Sequence, residues 1–314
     1  MKKYIVFTII LMFIIVPIAN AKGLLMVGID GTGLGTLNRL ISQNRLPNIQ
    51  SFLNTRGMLF PMEIHGITFT IPQWAKLFTG LDDYQTGVRG NKSCDDWNLS
   101  DRWRIYDTSA HRYRMMECFQ RTIPLKQTLQ GKLIENGFVS GWFVSKHYLN
   151  SNSKTSPFVS IAKNSTHKVV EPGYNENYHR ILQNAAITFI NNHSGQDFLL
   201  FVHLNPDYYG HRFGGETGER YEYEIVRSDW VLGNLLQVID RDTKVLLVTD
   251  HGLDPKMTTH DNADDAWIIT DLPIKTCFLN GGITSLDITP TILSWFEIEW
   301  REFHRKGKNT LELK

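Results

Sequence analysis

Cysteine is scarce, with only Cys94, Cys118 and Cys277 in 314 residues. Their spacing fits no thiolate zinc motif, and an odd count leaves at least one thiol unpaired or intermolecular in an exported chain. Cys94 and Cys118 share one irregular stretch, where a disulfide would stiffen a loop. An excess of either charge is lacking too: 33 Lys and Arg stand against 32 Asp and Glu, a formal net charge of +1. Nothing in that balance argues for a nucleic-acid-binding surface. Past the first twenty residues no apolar run approaches the ~20 residues that cross a bilayer, so no membrane span is expected in the mature chain. Internal repeats and low-complexity tracts are missing, which excludes a repeat array.

What is present begins with an address. Lys2 and Lys3 precede the apolar run Tyr4–Ile18, which ends in Ala19-Asn20-Ala21. A positive start, a short apolar centre and small residues at its end predict a signal peptide over residues 1–21, cleaved after Ala21. The alternative is an uncleaved anchor, for which the run is short. The protein is therefore expected to be exported, periplasmic or secreted. Residues 22–314, about 290 in number, are within reach of one large α/β domain with insertions.

Short apolar runs rich in β-branched residues recur at Leu24–Ile29, Phe138–Val144, Phe198–His203 and Val245–Thr249. Each reads as a strand buried on both faces. Helical periodicity fills the gaps at Pro47–Leu53, Leu125–Glu135, Tyr178–Ile190 and Tyr221–Ile239. Alternating strands and helices predict a doubly wound, mostly parallel sheet sandwiched by helices. The stretch 92–122, crowded with Trp, Arg, Asp and Tyr and without clear periodicity, reads as an inserted cap or loop. Residues 150–173 read as a surface segment.

In such sheets ligands bind beyond the carboxyl ends of the strands, so polar residues directly after a strand carry weight. Three strands end that way: one runs into Asp30, one leads to Asp207 and His211, and one runs into Asp250 and His251. With His260 these are six carboxylates and imidazoles, and oxygen and nitrogen ligands without thiolate suit zinc or another divalent cation. Asp30 alone could be a helix cap. The Gly31-Thr32-Gly33 turn after it lacks both Gly-x-Gly-x-x-Gly spacing and a P-loop lysine.

A nucleophile candidate is Thr70, in Thr68-Phe69-Thr70-Ile71-Pro72 ahead of a short helix Gln73–Phe78 that ends at Thr79-Gly80. Pro72 fits a first helical turn. A hydroxyl there lies where the unpaired N–H groups and the positive end of the dipole favour an anion. The bland alternative is that Thr70 only caps the helix.

These motifs resemble the alkaline phosphatase superfamily, and within it the type I phosphodiesterase and nucleotide pyrophosphatase branch. The resemblance spans most of the mature chain. It rests on Gly28-Ile29-Asp30-Gly31, Thr70-Ile71-Pro72 with Thr79-Gly80, Gly87-Val88-Arg89-Gly90-Asn91, Asp207 with His211, and Thr249-Asp250-His251-Gly252. It implies two divalent metals, most naturally Zn2+. One would sit on Asp207, His211 and His260, the other on Asp30, Asp250, His251 and the Thr70 oxygen. It also implies a phosphothreonine on Thr70, with Asn91 and backbone N–H groups near Ile71 holding phosphate oxygens, and a small-molecule phosphate ester as substrate. Leu286–Leu293 resembles a helix near the end of many such domains, with a structural role only.

Departures from the branch bear on the substrate. Ile71 and Val202 stand where nucleotide-cleaving members carry aromatics, so the nucleobase clamp is missing, unless Trp97, Trp103, Tyr106 and Tyr113 of the inserted segment replace it. The link from His251 to His260 is short. Alternative readings are a phosphomonoesterase, a transferase of phospho-alcohol head groups, or an inactive metal-binding relative. A sulfatase of the usual kind needs a modifiable Cys or Ser where Thr70 stands.

Overall fold

In a computed structural model of the chain, residues 21–64, 66–93, 118–119, 122–146, 149, 156–171, 174–253, 260, 266–302 and 305–312 are described. The signal peptide expected at 1–21 lies almost wholly outside them. So do most of the insertion expected at 92–122, Cys94, the Cys118 side chain, and the four aromatics Trp97, Trp103, Tyr106 and Tyr113. Cys277 is exposed and unpaired.

Among the described residues ten strands form, numbered in chain order: β1 Gly23–Ile29, β2 Met58–Glu63, β3 Lys92–Ser93, β4 Cys118–Phe119, β5 Val139–Val144, β6 His167–Val170, β7 Phe198–Leu204, β8 Lys244–Val248, β9 Ala266–Thr270 and β10 Ile283–Thr284. Eight make one sheet in the order β10-β2-β9-β8-β1-β7-β5-β6, while β3 and β4 pair separately. β9 runs antiparallel to both of its neighbours, and the other sheet pairings are parallel. The four strands expected from apolar runs are β8, β1, β7 and β5, the contiguous centre of the sheet.

Alternation along β1 divides the core. Leu24 and Met26 pack with Trp74, Phe78, Leu129, Leu133, Ile288 and Ile292, which come from the helices Thr70–Thr79, Leu129–Glu135 and Ile288–Trp295. Leu25, Val27 and Ile29 pack with Leu37, Phe52, Phe189 and Leu232 from Leu34–Ser42, Pro47–Thr55, Tyr178–Asn192 and Glu219–Leu236. A strand covered on both faces has no polar face to present, so its sequence is continuously apolar. The helix expected over Leu125–Glu135 is broken: Thr128 Oγ1 accepts the Gly131 N–H at 3.0 Å and caps a fresh helix after a 3-10 turn.

Beneath the Thr70–Thr79 helix lies an aromatic stack. Phe78 contacts Trp74, Trp142 and Phe201 at ring centroid distances of 5.6, 5.1 and 4.9 Å. Gly28 makes room for it, because a Cβ there would lie 2.4 Å from the Trp74 ring. Every residue of this helix is buried, and each large aromatic contributes on the order of 2–3 kcal/mol through area removed from water. The helix start is thereby fixed against the sheet.

Between Tyr178–Asn192 and Glu219–Leu236, His179 is buried with Glu224. His179 Nδ1 lies 3.5 Å from Glu224 Oε2, yet burial, aided by the Arg227 guanidinium, drives the imidazole pKa from 6.5 down to about 3. The ring is neutral at pH 7, and burial also pushes the Glu224 carboxyl upward. A histidine with a depressed folded pKa stabilises the fold above its unfolded value near 6.5 and loses that contribution as pH falls toward 3. The loss is about 1.4 kcal/mol per pH unit inside the window. Melting curves between pH 7 and 4 should show Tm falling, and His179→Leu should flatten the fall; an unchanged slope in the variant would exonerate His179.

Candidate metal and nucleophile site

Four adjacent strands deliver the site to one edge. Ile29 of β1 lies beside Leu204 of β7, Gly28 beside Val248 of β8, and Val144 of β5 beside His203. The residues that follow converge there: Asp30, Asp207, Asp250 with His251, and Lys146. Gly31 holds the turn after β1 with φ +70, and a Cβ there would fall 2.6 Å from Asp207 Cβ. Only glycine lets the two strand ends approach so closely. Its N–H donates to Asp250 Oδ1 at 3.1 Å, so this turn supports the acids rather than cradling a phosphate.

Two groups of donors result. Asp207, His211 and His260 offer ligand atoms within 4.8 Å of one another, and so do Asp30, Asp250 and His251. They are the two sets named from the sequence. Asp207 opens the short helix Asp207–Gly210, and His211 follows one turn later with Nε2 3.1 Å from Asp207 Oδ1. The His260 ring stands 4.9 Å from that of His211 and 4.0 Å from that of His251.

The donor chemistry fits divalent cations. His251 Nδ1 donates to the Gly252 carbonyl at 2.7 Å, which leaves the lone pair on Nε2, 3.2 Å from Asp250 Oδ2. Two lone-pair atoms facing each other in a buried pair need a shared cation or proton. Asp250 Oδ2 and His260 Nδ1 are buried with no hydrogen-bond partner among the described residues. Burial and then Asp30 raise the Asp250 carboxyl well above its ordinary range. For Asp30 and Asp207 burial pulls the same way, but Lys146 leads the opposing effects, and both carboxyls end below the usual range. Burial lowers His251, and burial with His251 nearby takes His260 to about 3, so both rings are neutral ligands in waiting.

Thr70 is the first residue of its helix, behind Phe69, which supplies no side-chain cap. The threonine hydroxyl does not serve as that cap. Its Oγ1 lies 3.0 Å from His251 Nε2 and 2.8 Å from Lys146 Nζ. The Ile71 N–H, expected to meet a phosphate oxygen, is engaged instead: Asn91 Oδ1 accepts it at 2.9 Å. The Asn91 amide nitrogen is the donor left over beside the helix start. Arg89 turns to Tyr84, 5.1 Å from its ring.

Two residues escaped the reading of the sequence. His203, inside β7, places Nε2 2.9 Å from Asp30 Oδ2 and Nδ1 3.0 Å from Ser145 Oγ. Lys146 reaches both Asp30 oxygens at 3.2 Å and Asp207 Oδ2 at 3.0 Å. Burial opposes its charge, yet Asp30, Asp207 and Asp250 outweigh it and push the ammonium above its usual pKa. Lys146 lies two residues past β5, so the strand-end rule would have reached it had lysine been counted with the ligand types. Ile71 and Val202, at the clamp positions, are wholly buried in the core.

The sequence family described as type I phosphodiesterase / nucleotide pyrophosphatase matches residues 24–276. No curated protein matches in sequence. Among solved structures, murine ectonucleotide pyrophosphatase / phosphodiesterase 5 superposes with a TM-score of 0.60 at 12% identity, over 91% of this chain and 98% of that one. The lipoteichoic acid synthase LtaP from Listeria monocytogenes gives 0.56 at 14% identity, over 93% and 76%. A 2-O GAG sulfatase gives 0.57 at 15%, over 92% and 73%. At such identities the likeness is one of fold.

Proposed function

Because the chain belongs to the type I phosphodiesterase / nucleotide pyrophosphatase family, we propose that it is an exported, metal-dependent phosphoric ester hydrolase that cuts phosphodiester bonds through Thr70. The observation that carries this reading is one hydroxyl at a helix N-terminus, 3.0 Å from His251 of one three-residue donor group and linked through Lys146 to Asp207 of the other. The catalytic unit is residues 22–314, with 92–122 as an insertion. No helix among the described residues is long and apolar enough to cross a membrane.

Asp30, Asp250, His251 and Thr70 would hold one divalent cation and Asp207, His211 and His260 another, with zinc the best match to these donors. Bound there, the cations supply Lewis acidity, lowering the hydroxyl pKa and neutralising charge on phosphate. The Thr70 oxygen bonds to phosphorus as the bond to the departing alcohol breaks, and the hydroxyl proton passes through solvent to that alcohol. Water then bonds to phosphorus, the threonine–phosphorus bond breaks, and a water proton restores the hydroxyl. Asn91 donates to a non-bridging oxygen, and a neutral amide suits the single charge of a diester. His203 keeps the Asp30 carboxylate in place.

Metal analysis of the purified chain from Lys22 onward, paired with assays on bis(4-nitrophenyl) phosphate and 4-nitrophenyl phosphate, tests this reading. Two equivalents of metal and a higher kcat/KM on the diester are expected. Faster turnover of the monoester would move the substrate class to phosphomonoesters, and a metal-free inert protein would remove the mechanism.

A further inference from the structure

The geometry points to Lys146 as a catalytic residue, one that donates a hydrogen bond to the Thr70 nucleophile oxygen and holds a fixed positive charge beside it during attack. The inference rests on Thr70 being the nucleophile, as proposed above.

An ammonium has three N–H donors, and Lys146 distributes them over three groups: Thr70 Oγ1, Asp30 and Asp207. Its shortest contact is the neutral hydroxyl at 2.8 Å, against 3.0 Å to Asp207 and 3.2 Å to either oxygen of Asp30. Three of these four contacts are to carboxylate oxygens, so the lysine does not serve the hydroxyl alone. Nor does its position depend on a free arm. Ser145, the preceding residue, donates its hydroxyl to the His203 carbonyl at 2.8 Å and lies 3.0 Å from His203 Nδ1, while His203 Nε2 meets Asp30. Strand β5, Ser145, His203 and Asp30 together set where the lysine leaves the backbone.

The chemical consequence follows from hydrogen-bond direction. Nζ can only donate, so it meets a lone pair of the Thr70 oxygen; in the metal-free protein the hydroxyl proton points to His251 Nε2 at 3.0 Å, and with a cation on His251 that proton leaves to water. As the oxygen bonds to phosphorus, the ammonium next to it lowers the cost of the charge that develops on the oxygen, and it keeps its own three protons throughout. The same charge touches an acid from each donor group, Asp30 and Asp207, and so competes with any cation those groups bind. Lys146 is thereby expected to weaken metal binding and to speed turnover, two effects of opposite sign.

The test is Lys146→Met, which keeps an unbranched side chain and deletes the charge. Zinc affinity is measured by competition with a chromophoric chelator. Turnover is measured on bis(4-nitrophenyl) phosphate, 4-nitrophenyl phosphate and 4-nitrophenyl sulfate, which release the same leaving group. Expected are zinc affinity raised severalfold and kcat lowered about 100-fold, with little change in KM, on whichever ester the wild type cleaves. Zinc affinity and kcat falling together would mark a structural residue, and kcat within threefold of wild type would mark a mere counter-ion; either overturns the inference. Wild-type activity confined to the monoester or the sulfate ester would correct the diester reading while the variant still judges Lys146. A zinc-loaded wild type inert to all three esters would defeat both.

Discussion

Thr70→Ala is expected to abolish hydrolysis of bis(4-nitrophenyl) phosphate, lowering kcat by about 10⁴-fold or more, the scale seen when a nucleophile is deleted. The fold should survive. Thr70 is buried at the first turn, but its hydroxyl supports no backbone of its own helix, and the helix is held by Trp74 and Phe78 from below. Losing the hydroxyl and methyl should cost on the order of 1 kcal/mol. Zinc content should fall little, because Asp30, Asp250 and His251 persist. Quench experiments should trap a phosphorylated wild-type protein and none in the variant. Residual activity above a few per cent in Thr70→Ala would make water, not threonine, the attacking group.

Asp250→Asn carries the second large effect, and its sign reverses with metal. In the metal-free protein the Asp250 carboxyl is buried beside Asp30 and raised well above its ordinary range. Such an acid binds its proton more tightly folded than unfolded. It therefore costs stability progressively as pH rises from its unfolded value near 4 through its folded one. Asparagine removes that cost and retains an oxygen to accept the Gly31 N–H, so the chelator-treated variant should melt about 2–4 °C above chelator-treated wild type. With zinc the order should invert, because wild type gains binding free energy that the variant lacks. The variant should also hold one equivalent fewer and lose about 10³-fold or more in turnover. The measurement is Tm by scanning calorimetry with and without chelator at pH 8. A variant that melts lower in both states would show that Asp250 is a structural acid.

The sequence disclosed the middle of the fold and the ligands at its edge for one reason: both are extremes of composition. Central strands such as Phe198–Leu204 are apolar on both faces, and Asp-His directly after one of them has no packing purpose. Edge strands fall between those extremes. Met58–Glu63 mixes buried and exposed positions, and His167–Val170 is at most half-buried throughout, so neither shows a clean period. β9 was missed although it is wholly buried and no shorter than β8, and nothing in its own residues accounts for the difference. Lys146 was missed because lysine usually marks solvent. Its burial depends on carboxylates 61 and 116 residues away in sequence, which only the assembled sheet brings to it.

Asp30 and Thr70 lie in the first quarter of the chain, whereas every remaining acid and imidazole of the two donor groups comes at or after residue 207. The Asp30 group cannot exist until β1 and β8 lie side by side, nor the Asp207 group until β7 joins them. If the chain is exported as proposed, and crosses its membrane unfolded, it carries no cage for an ion on the way. On the proposed export route, any ion captured would be set by the free metals of the compartment where the sheet closes, and the same polypeptide folded in the cytoplasm is expected to carry a different metal complement.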